Sequence, residues 1–224
     1  MTTHDQDGYA ICDGVFSRRE TAALVADLAG AQISRTRAGA RHVLTVPFVR
    51  RLAGDRRLMG IAARFVGPAP VPFRATLFEK SFASNWLVVW HQDTTLPLCA
   101  RIADSEWGPW TSKGGVLYAH APAWALDTVV ALRVHLDDST CENGPLRVLP
   151  GTHRLGVLSD DRLAQLAHQR AAVDCVAPAG GVVAMRPLTV HASSKSTVPD
   201  PRRVLHIEYA ARVNLGGAFE LAVG

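Results

Sequence analysis

The chain has 224 residues, of which 48% are hydrophobic, and a formal net charge of +4. That balance excludes disordered and collagen-like classes and predicts a globular protein with a real core. The arginines are scattered (Arg18, Arg19, Arg35, Arg37, Arg50, Arg51, Arg56, Arg57) rather than gathered into a tract with interleaved aromatics, so no nucleic-acid partner is expected.

The polar, acidic start, Met1-Thr2-Thr3-His4-Asp5-Gln6-Asp7, is unlike a signal peptide. No apolar run approaches the ~18 residues of a membrane span. Cys12, Cys99, Cys141 and Cys175 have neither zinc nor redox spacing. The expectation is a cytoplasmic protein without a membrane partner. Residues 8–11 read as a first short strand. Ser17 with Glu20 three residues on makes a capping box, and Ala22, Leu24, Val25 and Leu28 carry a helical period after it. A second helix is predicted over 49–65, stopped by Gly67-Pro68, and a third from Ser159 onward with acids in its first turn. Strands are predicted at 73–80, 86–93, 115–120, 128–136, 146–149, 173–176, 181–185 and 203–209. Turn signals lie between several of them, at 142–145, 150–152 and 178–181. This pattern predicts a mainly β fold, a double-stranded β-helix (jelly roll, cupin-like) with helices packed on one sheet. No shift in composition marks a boundary, so 1–224 reads as one domain.

The chemistry centres on His91-Gln92-Asp93. On a strand, residues two apart share a face, so an imidazole and a carboxylate stand side by side. A second imidazole from a distant strand would complete a two-histidine, one-carboxylate triad with open positions, the ligand set of non-haem Fe(II) oxygenases. The same spacing occurs in His135-Leu136-Asp137 and His206-Ile207-Glu208, and any one alone reads as a polar strand face. His191, at the end of the apolar run 181–190, is placed to be the late ligand. Choosing His206 and Glu208 would leave it idle; His135 and Asp137 remain a competitor. Such enzymes commonly use 2-oxoglutarate, whose far carboxylate suits a planar, permanently charged arginine. Arg202 lies eleven residues beyond His191 and is the candidate; Ser193 shares the face of His191 and could donate its hydroxyl to the same carboxylate. One member of the Arg202-Arg203 pair is expected to be an exposed basic turn residue.

Taken together, Gly8–Ser17, Trp90-His91-Gln92-Asp93, the segment Glu142-Asn143-Gly144-Pro145 through Arg154, and His191-Ala192-Ser193 followed by Arg202 resemble the phytanoyl-CoA dioxygenase family of Fe(II)/2-oxoglutarate oxygenases. The resemblance covers nearly the whole chain. It implies His91, Asp93 and His191 as iron ligands, Arg202 and Ser193 as the co-substrate clamp, and a scaffold role for His135 and Asp137. It also implies an aromatic lining the co-substrate pocket, with Trp110 the candidate and Trp107 the fallback. Fe(II), 2-oxoglutarate and O2 are the implied cofactor and co-substrates, and hydroxylation of a small molecule, with release of succinate and CO2, the implied reaction. Because Asp93 is a carboxylate where related halogenases have a small residue, hydroxylation is favoured over halogenation. The chain departs from the family in lacking long insertions and in reading Lys195-Ser196-Thr197 where asparagine is frequent. Substrate recognition is expected from 105–124, with its Trp107, Trp110, Tyr118, His120 and Trp124, and from Arg133. Desaturation, epimerisation or cyclisation on the same fold, and a binding protein without turnover, are the alternatives.

Overall fold

The computed structural model describes residues 6–37, 39–81, 84–104 and 106–224. In chain order its strands are β1 (Tyr9–Cys12), β2 (Gly39–Arg41), β3 (Val71–Lys80), β4 (Val88–His91), β5 (Thr95–Leu98), β6 (Trp110–Lys113), β7 (Val116–His120), β8 (Val129–His135), β9 (Leu146–Val148), β10 (Val173–Cys175), β11 (Val182–Met185), β12 (His191–Ser193), β13 (Arg202–Ala210), β14 (Asn214–Gly216) and β15 (Phe219–Glu220). A six-stranded sheet has the order β1-β11-β8-β13-β3-β2, and a four-stranded sheet the order β10-β9-β12-β4. All of their pairings are antiparallel. This is the expected jelly roll. A smaller three-stranded sheet has the order β5-β7-β6.

The six-stranded sheet has one apolar and one polar face, set by the two-residue alternation of its strands. Ala75 and Leu77 of β3, Val130, Leu132 and Val134 of β8, and Leu205, Ile207 and Tyr209 of β13 are buried in one apolar cluster. The helices α1 (Arg18–Gly30), α2 (Pro47–Ala53) and α3 (Arg56–Val66) add Leu28, Val49, Leu52, Leu58 and Phe65 to it. The alternate residues, among them Arg74, Thr76, Phe78, Arg133, His206 and Glu208, face a cavity between the sheets. The polar face of this sheet is therefore the interior of the barrel.

The capping box at Ser17 forms: its Oγ accepts from the Glu20 N–H, and Glu20 accepts from the Ser17 N–H. The short helix α4 (Ala123–Leu126) precedes β8, and Ser159 caps α5 (Asp160–Gln169) as its sequence predicts. The single helix expected over 49–65 is instead two. Gly54 ends α2, and the Asp55 carboxylate accepts from the Arg57 N–H to start α3, because an aspartate competes for the backbone better as a cap than inside a helix. The apolar run 181–190 is likewise broken. β11 ends at Met185, the chain turns through Pro187, which has no N–H for a ladder, and β12 begins in the opposite sheet. Among the described residues no helix is long and apolar enough to cross a membrane.

The buried Tyr209 hydroxyl donates to the Ala53 carbonyl (2.9 Å), pinning the end of α2 to the sheet. Tyr209→Phe should cost about 1–2 kcal/mol, seen in thermal denaturation as a fall of a few degrees in Tm.

Candidate active site

β12 lies between β9 and β4, and its pairing with β4 puts His191 directly opposite His91. Side chains of directly opposed residues have Cβ atoms ~5 Å apart, and here the two imidazole centroids are 4.1 Å apart. The register then shifts, so that Ser193 opposes Val88. Such a bulge bends a strand and re-aims its side chains. β4 ends at His91 rather than running to residue 93, and the Asp93 N–H donates to the Pro187 carbonyl (3.0 Å) instead. This returns the carboxylate to the histidines: Oδ1 is 3.8 Å from His91 Nε2, and Oδ2 is 3.6 Å from His191 Nε2.

Both imidazoles are fixed in the same way. His91 Nδ1 lies 2.8 Å from the Val89 carbonyl, and His191 Nδ1 lies 2.9 Å from the Thr189 carbonyl. A proton on each Nδ1 satisfies those contacts and leaves the Nε2 lone pair free toward Asp93. Burial pushes the His191 imidazole down to about 4, against the pull of Asp93. Burial opposes ionisation of Asp93, but His191, His206, His91 and Arg74 outweigh it and hold the carboxyl at about 2. At neutral pH the site thus presents an imidazole lone pair and a carboxylate, and the three donor groups lie within 4.8 Å of one another. Two nitrogens and an oxygen facing a polar cavity fit a divalent transition metal. Gln92 braces the motif from behind. Its amide donates to the Gly156 and Leu188 carbonyls and its carbonyl accepts from the Leu158 N–H.

The cavity in front of the triad has a volume of about 260 Å³. At one end Arg202 is 3% exposed; its Nε donates to the Asn143 carbonyl (3.2 Å), and its Nη1 has no protein partner. Arg133 Nη1 lies 3.2 Å from His206 Nδ1, and its Nε has no protein partner. Lys80, opposite Arg202 across β3 and β13, completes a cluster that the sequence reading missed. Burial, then Arg202 and Arg133, press the Lys80 amine down to about 7. None of the three cations has a carboxylate partner among the described residues, so this end of the cavity is suited to an anion. The two-residue polar row of β3, from Arg74 to Lys80, is the signal that could have revealed Lys80.

Ser193 sits in this cluster but not as the expected donor. Its hydroxyl donates to the Gly144 carbonyl (2.9 Å) and accepts from Lys80 Nζ (2.9 Å) and Arg202 Nη2 (3.4 Å), so it braces the two cations. Trp110 does not line the cavity. It packs with a satellite core and carries the Arg101 guanidinium 5.8 Å from its ring centre. Trp107 stacks on Phe219 at 4.4 Å and meets the half-exposed Trp124 edge-on, so Trp107 is buried against its aromatic neighbours. Of the described residues in 105–124, Lys113 alone lines the cavity, whereas Trp86 does so from upstream. The competing motif is split: His135 is fully buried, its basicity held down by burial to about 3, while Asp137 accepts from Arg203 (2.7 and 2.8 Å). Arg203 is thus the outer member of the arginine pair and Arg202 the inner one.

The profile of the phytanoyl-CoA dioxygenase family matches residues 4–204. The chain belongs to that family of Fe(II)/2-oxoglutarate oxygenases. As a member it is a dioxygenase working with iron, 2-oxoglutarate and O2. It is 25% identical over 248 residues to ectoine dioxygenase from Sphingopyxis alaskensis, covering 94% of this chain and 74% of that protein. It is 26% identical over 188 residues to L-proline trans-4-hydroxylase from Streptomyces griseoviridis, covering 71% of this chain and 61% of that one. Among solved structures, the non-haem α-ketoglutarate-dependent epimerase SnoN from nogalamycin biosynthesis superposes with a TM-score of 0.67 at 21% identity, over 94% of this chain and 80% of its own.

A lysine whose pKa is lowered by folding binds its proton less tightly in the folded state, so its cost is full below pH 7 and is relieved as pH rises toward the unfolded value. The Tm of the ligand-free protein should therefore gain up to about 5 °C between pH 7 and 9 from this group. Lys80→Met should start more stable at pH 7 and lack that gain in a paired pH series.

Proposed function

We propose that the protein hydroxylates a C–H bond of a small metabolite, with His91, Asp93 and His191 holding Fe(II) and Arg202 holding the far carboxylate of 2-oxoglutarate. The observation that carries this reading is the directly opposed histidine pair, whose two Nε2 atoms each face one oxygen of Asp93. When bound there, iron with 2-oxoglutarate and O2 supplies the oxidising power for the C–H bond and releases succinate and CO2.

The chain's own part is geometry and charge. The backbone contacts at Nδ1 stop both rings from rotating, so the three donors converge without reorganisation. Arg202, with an unpartnered Nη1 turned to the cavity, offers its planar edge to a carboxylate, and Lys80 adds a second positive charge beside it. Ser193 keeps the two cations in place. Burial of this end excludes water and strengthens the attraction. With a metal bound, the Asp93 carboxylate would take the place a halide would need. Two relatives by sequence, an ectoine dioxygenase and a proline hydroxylase, support hydroxylation over the epimerase outcome. The intact triad and the unpaired cations speak against a binding protein without turnover. A cavity of about 260 Å³ suits a small substrate, and residues 1–224 act as one catalytic domain. Four free thiols suit the reducing cytoplasm.

Under nitrogen, the protein with Fe(II) and 2-oxoglutarate should develop an absorption band near about 500 nm, and in air it should form succinate slowly without substrate. Asp93→Ala should lose both signals and Asp137→Ala should keep both. The opposite pattern would move the metal to the other motif. Arg202→Met should raise the KM for 2-oxoglutarate about 10- to 100-fold, the loss of a charge-assisted bond, while Fe(II) binding followed by equilibrium dialysis stays unchanged.

A further inference from the structure

Five side chains lining the triad cavity are cations and two are carboxylates. Asp93 belongs to the metal site, and Glu208 is held by Nε and Nη2 of Arg74. An Fe(II) ion and the 2-oxoglutarate dianion cancel in charge, so the loaded cavity keeps an excess of three positive charges.

That excess lies at two separate ends. The row of β3 that lines the cavity with Arg74, Thr76 and Phe78 continues to Lys80. β13 matches it, with Arg202 opposite Lys80 and Glu208 opposite Arg74. Six residues at ~3.3 Å each place these ends about 20 Å apart. The triad is set off from the Lys80 and Arg202 end: Ser193, which bonds both of those cations, lies two residues beyond His191 on β12. 2-Oxoglutarate held at the triad through a metal would direct its far carboxylate to Arg202, which leaves the Arg74 end for a second ligand.

Three cations converge there. Arg74 has two of its nitrogens on Glu208, which fixes the guanidinium and leaves Nη1 without a partner among the described residues. Arg41 comes from β2, where it opposes Thr76, and Lys113 from β6. Arg41 and Lys113 are exposed, and neither has a carboxylate partner among the described residues. Tyr118 holds Arg74 and Lys113 near each other, its ring centre 5.4 Å from the Arg74 guanidinium carbon and 5.3 Å from Lys113 Nζ. An isolated exposed lysine or arginine means little; three lining one cavity, with Glu208 already paired and Asp93 committed to the metal site, form a receptor for an oxyanion.

We infer that the substrate is a small acid whose carboxylate or phosphate group is held by Arg41, Arg74 and Lys113, on the side of the metal site opposite Arg202. This rests on the iron and 2-oxoglutarate reading above. Glu208 serves as the positioning residue that keeps the Arg74 guanidinium turned toward the mouth.

The test uses full-length protein loaded anaerobically with Fe(II) and saturating 2-oxoglutarate. Absence of the absorption band at this first stage rejects the cofactor reading by itself. With the band in place, thermal shift is measured for inorganic phosphate, for benzoate against benzamide, and for N-acetylglycine against its amide. The acids or phosphate should raise Tm and the amides should not. In the double variant Arg41→Met/Lys113→Met the same shift should need at least a tenfold higher concentration while the band is retained. Response to carboxylates alone identifies a carboxylic acid substrate, and response to phosphate alone a phosphate ester. The inference is overturned if the amides shift Tm as the acids do, if no oxyanion shifts it, or if the double variant responds like the wild type.

Discussion

The site depends on one cross-strand pair. His91 and His191 are a hundred residues apart in sequence but directly opposed where β4 meets β12. Side chains alternate along a strand, so a slip of one residue would turn His191 out of the cavity and separate it from Asp93. The register is held on both sides of β12, since His191 also opposes Val148 of β9. The irregularity next to it lies on β4, which takes three residues from His91 to Val88 while β12 takes two from His191 to Ser193. The histidine pair is in this sense a consequence of strand pairing, while Asp93 is set just past the strand end by its N–H bond to the Pro187 carbonyl.

A second constraint is the inverted polarity of the large sheet. Its apolar face is covered by helices, and its polar face is enclosed. Enclosing Lys80, Arg133 and Arg202 with no carboxylate partner among the described residues is unfavourable for the free protein, and the depressed basicity of Lys80 is the sign of that strain. The same arrangement prepares the cavity for anions, since no internal carboxylate has to be displaced before one binds. Asp93 departs from this pattern because it faces the Nε2 atoms of His91 and His191, with Arg74 adding to the pull on its carboxylate, and Glu208 because Arg74 clasps it.

The three histidine-acid motifs illustrate how far side-chain spacing can be read. All have the same spacing, and the structure gives each a different fate: convergence with a distant histidine for His91 and Asp93, division between core and surface for His135 and Asp137, and a cavity wall for His206 and Glu208. The aromatics after the iron motif mislead for a related reason. Trp107 and Trp110 are close in sequence to the site, but they pack into a satellite core with Leu96, Ala119 and Phe219 instead, and Trp124 is 45% exposed.

Local sequence determined the features that depend on neighbouring residues: the capping box at Ser17, the cap at Ser159, most strand positions, and the candidacy of His91, Asp93, His191 and Arg202 through their motif. The break at Gly54-Asp55 was also written locally, in a capping aspartate, although the apolar period ran across it. Tertiary structure alone decided what depends on pairing between distant segments. It placed Lys80 beside Arg202, turned Ser193 toward the backbone, moved Trp110 away from the cavity, and set Arg74, Arg41 and Lys113 around its mouth. The physical reason is that periodicity specifies which face of a strand a residue occupies, whereas register and sheet order specify what that face meets.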